Sequence, residues 1–468
     1  MNKMVIKNFF YAFGAQLVSL AASLILTFIA PALLGVEQFA YWQLFLTYVT
    51  YVNISRLGLN DGLYLRLGGK KYEELDHDLL SHERQIFIAF QFVVAFIILT
   101  AILTLDLNGD RKFVLIACCI CIVIVNANGY LTYILQAANL TNVYSVSTVI
   151  QNATKFVSVA LIALLKIYSY KIIIVMYVLG FLCANFYLSY HAKEIVRRRY
   201  VKFQVVWRDI KENIRCGLKL MIATYAGMLI ISSVKMIIDA SWGVEVFGYF
   251  SFSLTLSNVF LTFVSQVSIV VFPALRRVQP DKQKSVYELM RNAMNFIFPL
   301  VMLGYLPITI VVQYCLPKYL ESLTFLPIFL PICTFDGKMQ MMCSSFFKSM
   351  RKESTLLAIN LITLGISIVM ALIGSFVIKN IYFVAFGILV VVALRSIVSE
   401  WILARYMQVN IFWEVIQEIL LVAFFIAGSM LFPATVMFLL YLAVYVAYLL
   451  LNKNRVKHLL KVKNTFKS

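Results

Sequence analysis

The sequence predicts an all-α polytopic membrane protein of about fourteen transmembrane helices, set out as two parallel six-helix bundles and two C-terminal helices. Three observations predict it. First, 62% of the 468 residues are hydrophobic and only 13% are charged, against about 45–50% and about 25% in soluble domains. Second, the apolar residues gather in runs long enough to cross a hydrocarbon core about 30 Å thick. Third, one short pattern occurs twice in the chain, each time where a run begins. A water-soluble chain of this composition could not cover its surface, which excludes a cytosolic enzyme.

The runs are broken by charges and turn residues. The first, Phe9 to Leu34, is too long for a signal-peptide core and reads as a retained helix. The next five are Phe39 to Leu65, Gln85 to Leu105, Lys112 to Ala137, Thr141 to Leu165 and Lys171 to Tyr190. After a long basic segment come Leu218 to Ala240, Val246 to Val271, Asn292 to Tyr314, Leu323 to Phe347, Leu356 to Ile378 and Tyr382 to Tyr406. Ile411 to Phe432 and Ala434 to Leu451 close the series, divided by a Phe432-Pro433 break. The expected organisation is an N-terminal bundle (1–192), a basic cytoplasmic linker (193–216), a second bundle (217–407), helices 13 and 14 (408–452) and a basic tail (453–468).

The net charge of +19 comes from 41 Lys and Arg against 22 Asp and Glu. With the N-terminus inside, thirty of the 41 cations fall in cytoplasmic loops and six in external ones. That bias is the positive-inside signature, and it places both termini in the cytoplasm. Runs such as Arg197-Arg198-Arg199 are topology signals, so nucleic-acid binding is not expected. Most of the eight cysteines lie within apolar runs, where a thiol behaves as a small hydrophobe. The histidines hold only one close pair, His77 and His82, whose spacing does not share a helical face. No metal or cofactor is expected. Neither is enzymatic activity: no nucleophile–base constellation stands out, and no extramembrane segment is large.

The repeated pattern is Gly35-Val36-Glu37-Gln38-Phe39-Ala40-Tyr41-Trp42 and Gly243-Val244-Glu245-Val246-Phe247-Gly248-Tyr249-Phe250. The copies open the second and eighth spans, six helices apart, so they enter the membrane from the same side. An even offset makes the repeats parallel, as in transporters built from two six-helix bundles. Gly supplies a tight turn, Glu stays in water, and the aromatic pairs suit a belt at the membrane interface.

The words Leu34 to Phe39, Leu57-Gly58-Leu59-Asn60-Asp61-Gly62, Asp239 with Gly243 to Tyr249, and Leu316-Pro317-Lys318-Tyr319 resemble those of the O-antigen and polysaccharide (Wzx-type) flippases. These belong to the superfamily of multidrug, oligosaccharidyl-lipid and polysaccharide (MOP) exporters, which includes the MATE transporters. The resemblance covers the whole chain in helix number and loop rhythm. It implies flipping of undecaprenyl-pyrophosphate-linked oligosaccharide from the cytoplasmic to the outer leaflet.

Five cations remain inside predicted spans: Arg56, Lys155, Lys235, Lys338 and Arg395. Each costs about 2.5–3.5 kcal/mol at a helix centre unless it is paired or wet. The acids Asp61, Asp239, Asp336 and Glu400 are candidate ion-pair or coupling partners. Lys235 and Asp239 have the i, i+4 spacing of a same-face pair, and Arg395 is expected near Glu400. Lys155 has no acid in its own span. It continues a polar stripe of Tyr144, Thr148, Gln151 and Ser158. Ser251, Thr255, Asn258, Thr262 and Ser265 form a second stripe, Asn53, Arg56 and Asn60 a third, and Gln16, Ser19, Ser23 and Thr27 a fourth. Such stripes face a bundle interior or a wet cavity.

A cavity holding unpaired cations suits an anionic ligand. The favoured function is therefore alternating-access flipping of a lipid-linked glycan. The five cations would bind pyrophosphate, and Asn53, Asn60, Thr148, Gln151, Thr255, Asn258 and Thr262 would line the cavity. Helices 13 and 14 are expected to be peripheral. Membrane lipids are expected neighbours of a monomer, with a polymerase and a chain-length regulator as partners. The alternatives are a flippase for a lipid-linked peptidoglycan precursor and a cation-coupled multidrug exporter. An exporter of cationic drugs would want an acidic cavity, and the chain's first acid is Glu37, already in a loop.

Overall fold

The computed structural model describes residues 3–196, 201–276 and 282–456, and among these it contains helices and no strands. Arg197 to Arg199 and the tail from Lys457 onward lie outside the described residues. The chain divides into two compact units, Met1–Ser232 and Ser233–Ser468.

The first unit holds α1 (Lys3–Leu34), α2 (Val36–Val52), α3 (Leu59–Leu67), α4 (His77–Thr104), α5 (Gly109–Ala137), α6 (Thr141–Leu165), α7 (Tyr170–His191), the single turn α8 (Lys193–Val196) and the start of α9 (Phe203–Arg276). The second unit takes the rest of α9, then α10 (Gln283–Ile297), α11 (Tyr305–Cys315), α12 (Leu326–Phe329), α13 (Ile332–Lys338) and α14 (Ser344–Ser349). It ends with α15 (Glu353–Leu372), α16 (Ile381–Met407), α17 (Phe412–Leu431) and α18 (Ala434–Leu451). Among the described residues ten helices are long and apolar enough to span a membrane, and α9 alone carries the seventh and eighth expected spans. The chain is an all-α polytopic membrane protein. Its helix starts are capped as in soluble proteins: Asp76, Asn108, Ser169 and Asn380 each accept a first-turn backbone N–H.

The two copies of the repeat share one backbone geometry. Gly35 has φ 77° and ψ 175°, and Gly243 has φ 82° and ψ 177°. A side chain would be strained at that φ, so glycine is required at both corners. Glu37 and Glu245 are exposed, as expected. The aromatic residues do not form an interfacial belt. Phe39, Tyr41, Trp42, Phe247 and Phe250 are all buried, and Tyr41 stacks on Tyr170 of α7 at 5.2 Å. The motif turns the chain and then anchors the next helix in its own bundle.

The second expected span is not one helix. It stops at Val52, passes through a 3-10 turn at Asn53–Arg56, and reverses handedness at Leu57 (φ 53°) and Gly58 (φ 83°) before α3 begins. Gly58-x-x-x-Gly62 then brings the α3 backbone against α9. A Cβ at Gly62 would strike the Asn213 backbone, and one at Gly217 would strike Gly58 and Asp61. This is close small-residue packing of the kind that drives helix association in lipid.

The expected linker is mostly helix. Residues from Phe203 run without interruption into the seventh span. Val206 and Ile210 are buried in a core with Leu59, Leu63, Leu80 and Leu188, while Arg208, Lys211 and Arg215 stay exposed. Asn213 donates to Glu83 at 2.8 Å, and Arg66 pairs with Asp209 at 2.9 Å. The segment looked like a loop because one face is basic; its other face belongs to the first unit. The two units accordingly divide at Ser232, inside α9.

Helices 13 and 14, expected at the periphery, are tied into the second unit. Pro299 follows α10 within a 3-10 stretch, Phe298–Gly304. It has no N–H for the carbonyl of Asn295, four residues back. Tyr448 of α18 donates to that carbonyl at 3.3 Å, Tyr445 to Phe296 at 2.6 Å and Tyr441 to Pro299 at 3.1 Å. The three tyrosines share a helical face. In hydrocarbon each unsatisfied backbone group costs several kcal/mol, which is why a broken span needs such partners. A second break, between Pro317–Thr324 and Leu326–Ser349, bends the tenth expected span by 53°.

Replacing Gly217 by Val should lower the thermal midpoint of detergent-solubilised protein, because overpacking costs about 1–3 kcal/mol and both contacts here are backbone. Tyr445→Phe should cost less, about 0.6 kcal/mol, the mean for a hydrogen bond within a membrane bundle. Equal midpoints for Gly217→Val and the parent protein would contradict the close α3–α9 contact.

Candidate functional site

In the first unit the break in the second span gathers polar groups. Arg56 lies at the end of the 3-10 turn and is only 8% exposed. Its guanidinium bonds Asn53 and lies 5.7 Å from the centre of the Tyr133 ring, while its Nε has no hydrogen-bond partner among the described residues. Asn60, on the first turn of α3, is fully buried with both amide atoms unpartnered. Asn128 of α5 accepts from Gln151 Nε2 at 3.2 Å and leaves its own Nδ2 unpartnered. Gly129 makes the room: a Cβ there would stand 3.1 Å from Asn60 Nδ2 and 3.5 Å from Arg56. Asp61 is buried beside this group. An amide clamp holds the break in shape, with Asn126 donating to Ser55 and Gln91, and Gln91 to the Ser55 carbonyl at 3.1 Å.

Lys155 stands half-buried on α6. Its Nζ donates to Asn152 Oδ1 at 2.9 Å and lies 5.7 Å from the Tyr177 ring centre. Asn152 in turn donates to Ser19 of α1 at 2.8 Å. Among the described residues neither Arg56 nor Lys155 has a carboxylate in ion-pair contact. Sequence spacing placed Thr148, Thr255 and Thr262 in polar stripes, but their hydroxyls bond the carbonyls of Tyr144, Ser251 and Asn258, four residues back in the same helix. Such back-bonding satisfies the hydroxyl inside its own helix, so these three do not stand as free donors. Asn258 is exposed. The side chains of Gln16 and Ser265 lie outside the described residues.

The second unit treats its charges differently. Lys338, 1% exposed, lies 3.0 Å from Glu400 and 2.6 Å from Glu418. Glu400 also pairs with Arg291, which reaches Glu414 at 3.6 Å, and Glu414 pairs with Arg455. Arg395 pairs with Asp336 at 3.2 Å and bonds Asn360 at 2.8 Å. Arg395 is therefore matched to Asp336 and not to Glu400. Each of these four cations faces carboxylates, four in all, and the network is neutral. It joins α10, α13, α16 and α17. A cation so matched has little to offer a substrate. Arg291 lies one residue before the ninth expected span, and Glu414 and Glu418 lie on the first turns of the thirteenth. Their signal was present, since two acids at i, i+4 mark one face of an otherwise apolar helix. Lys235 is the exception. It lies 5.3 Å from the Phe247 ring and has no ion pair among the described residues. The expected Lys235–Asp239 pair is not formed, and Asp239 is buried with contacts of its own.

No family model matches the sequence, and no characterised protein matches it by sequence similarity. Solved structures do match. One is an inward-facing multidrug resistance MATE-family transporter of the MOP superfamily: TM-score 0.66, 16% identity, covering 84% of this chain and 94% of that one. The fold is that of MOP-superfamily transporters. A second match is the lipid II flippase MurJ in an inward closed conformation, with TM-score 0.67, 14% identity, and coverage of 96% of this chain and 100% of that one. A third is a MOP-superfamily transporter from Pyrococcus furiosus whose binding pocket of reversed polarity suggests a different function (TM-score 0.54, 15% identity, 85% of this chain and 93% of that one).

Removing one member of the buried network strands the others. Glu400→Leu should destabilise the purified protein by about 3–5 kcal/mol, since it leaves both Lys338 and Arg291 short of a partner. Glu414→Gln, at the edge of the network, should cost less. A thermal-shift series that ranks Glu414→Gln as the worse variant would contradict the pairing described.

Proposed function

We propose that this chain is a flippase for undecaprenyl-pyrophosphate-linked oligosaccharide, the repeat unit of an O-antigen or capsule. It works by alternating access in a bacterial cytoplasmic membrane, with both termini in the cytoplasm. The observation that carries the proposal is an imbalance. The second unit neutralises Lys338 and Arg395 with its own acids, whereas Arg56 and Lys155 in the first unit, and Lys235 in the second, have no ion pair among the described residues. Leaving three cations unpaired within membrane spans is costly unless a ligand completes them. A pyrophosphate does so chemically: guanidinium and ammonium groups neutralise phosphate oxygens, the former in a fork that grips two at once. The unpartnered amide of Asn60 and the free Nδ2 of Asn128, with Gln151, are suited to sugar hydroxyls or further phosphate oxygens. The candidate anion-binding cations are thereby Arg56 and Lys155 in the first unit and, separately, Lys235 in the second.

The fold supports a transporter, and the match to a lipid II flippase over nearly the whole chain supports a lipid-linked substrate. It also favours a second reading, a peptidoglycan precursor as cargo, which carries the same pyrophosphate. Export of cationic drugs fits poorly, because the unpaired charges are positive.

The test is a deletion strain complemented with variants. Arg56→Ala and Lys155→Ala should each reduce surface glycan by about ten- to a hundredfold, the equivalent of losing a charge-assisted hydrogen bond of about 1.5–3 kcal/mol. Lipid-linked oligosaccharide should accumulate while protein level stays normal. Lys338→Ala should instead lower the amount of folded protein. Normal surface polysaccharide in both Arg56 and Lys155 variants would overturn the assignment, and accumulation of peptidoglycan precursor alone would select the second reading.

A further inference from the structure

A groove of about 500 Å³ lies between α16 and α17. Its walls are apolar, with Ile397 and Trp401 on one side and Val415, Ile416 and Ile419 on the other. Arg405 stands at its mouth, the guanidinium 3.6 Å from the centre of the Trp401 ring. Among the described residues Arg405 forms no ion pair. Two more cations gather around the same end of α16: Lys352 lies over the Tyr406 ring at 5.2 Å, and Lys284 donates to the Gln408 carbonyl at 3.2 Å. The nearby acid, Glu414, is committed to Arg291 and Arg455. Trp401, Phe412 and Trp413 are 48%, 63% and 67% exposed. Exposed tryptophans and phenylalanines at one helix end mark headgroup depth in a membrane. The mouth is thus cationic and interfacial, and the slot behind it is apolar.

We propose that this groove binds an anionic glycerophospholipid from the leaflet faced by the basic loops, one acyl chain in the slot and the phosphate on Arg405. The walls select the tail: from Ile411 to Ile419 the groove is lined by Val415, Ile416 and Ile419 facing Ile397 and Trp401, an apolar surface that suits an alkyl chain. The charge selects the headgroup: stacking on Trp401 holds the guanidinium plane, leaving its edge to grip phosphate oxygens. A soluble phosphate would gain nothing from the apolar walls. None of these residues belongs to the proposed substrate site.

The experiment is native mass spectrometry of the full chain in detergent, titrated with phosphatidylglycerol and, separately, with phosphatidylcholine of the same acyl chains. Phosphatidylglycerol should be retained at least about tenfold more tightly, one tenfold step being a modest free-energy difference for a charged contact. R405Q should remove that preference, and I416W, which fills the slot, should remove retention of both lipids. R405Q alters an exposed side chain and keeps the test decisive should I416W fail to fold; I419W is its second slot-filling form. Equal retention of the two lipids, or parental binding in R405Q and both slot variants, would overturn the proposal. So would full competition by inorganic phosphate, or preferred binding of a polyprenyl phosphate, which would assign the slot to the transported lipid's tail.

Discussion

A charge or a bare backbone carbonyl in hydrocarbon has no water to fall back on, so it must find a partner within the protein or be wet by a cavity. Most of this structure follows from that demand. Pro299 frees carbonyls, and three tyrosines on the last helix supply hydroxyls to them and their neighbours. Lys338 cannot stay charged alone, and two glutamates from different helices close on it. These contacts draw the C-terminal helices into the second unit. The same demand marks the proposed anion-binding residues, because Arg56, Lys155 and Lys235 have polar or aromatic neighbours but no ion pair among the described residues.

The two units meet the demand differently even though they begin alike. Both contain a glycine corner followed by a buried aromatic group. The second unit then holds a neutral ion network, rigid by mutual attraction. The first holds Arg56 and unpartnered amide groups around a helix break, and Lys155 on α6 beside Asn152 and Tyr177. Buried ion pairs add little net stability against apolar substitutes, but they fix which helices must meet.

Hydrophobic runs were legible in the sequence because lipid imposes length directly, and each of the fourteen expected segments falls on helical backbone. The repeat was legible because its glycine φ allows no other residue. Less visible were features set by partners distant in the chain. The break at Asn53–Gly58 carries no proline, so the run read as one helix; its cause is the close approach of Gly58 and Gly62 to Gly217. The helix from Phe203 is masked in the sequence by its cations, because its buried apolar face rests on few residues, Val206 and Ile210 among them. Lys338 and Arg395 looked like site residues because their acids lie about sixty or more positions away. Lys155 stood out as a charge with no acid in its own span and Arg56 as one whose nearest acid, Asp61, is at a poor spacing; the structure brings no ion-pair partner to either among the described residues.

The packing of α3 has a mechanical consequence. With Gly58 and Gly62 pressed onto α9, α3 is the fixed side of the break, and any tilt of α2 must turn on residues 53–58. α2 is about 25 Å long at 1.5 Å per residue, so its far end, at the Gly35 corner, sweeps widely for a small rotation. Arg56 sits at the fulcrum and scarcely travels. A lever arranged this way would keep the proposed grip of Arg56 on a phosphate still while the rest of the arm swings, so that holding the cargo and moving the wall around it need not compete.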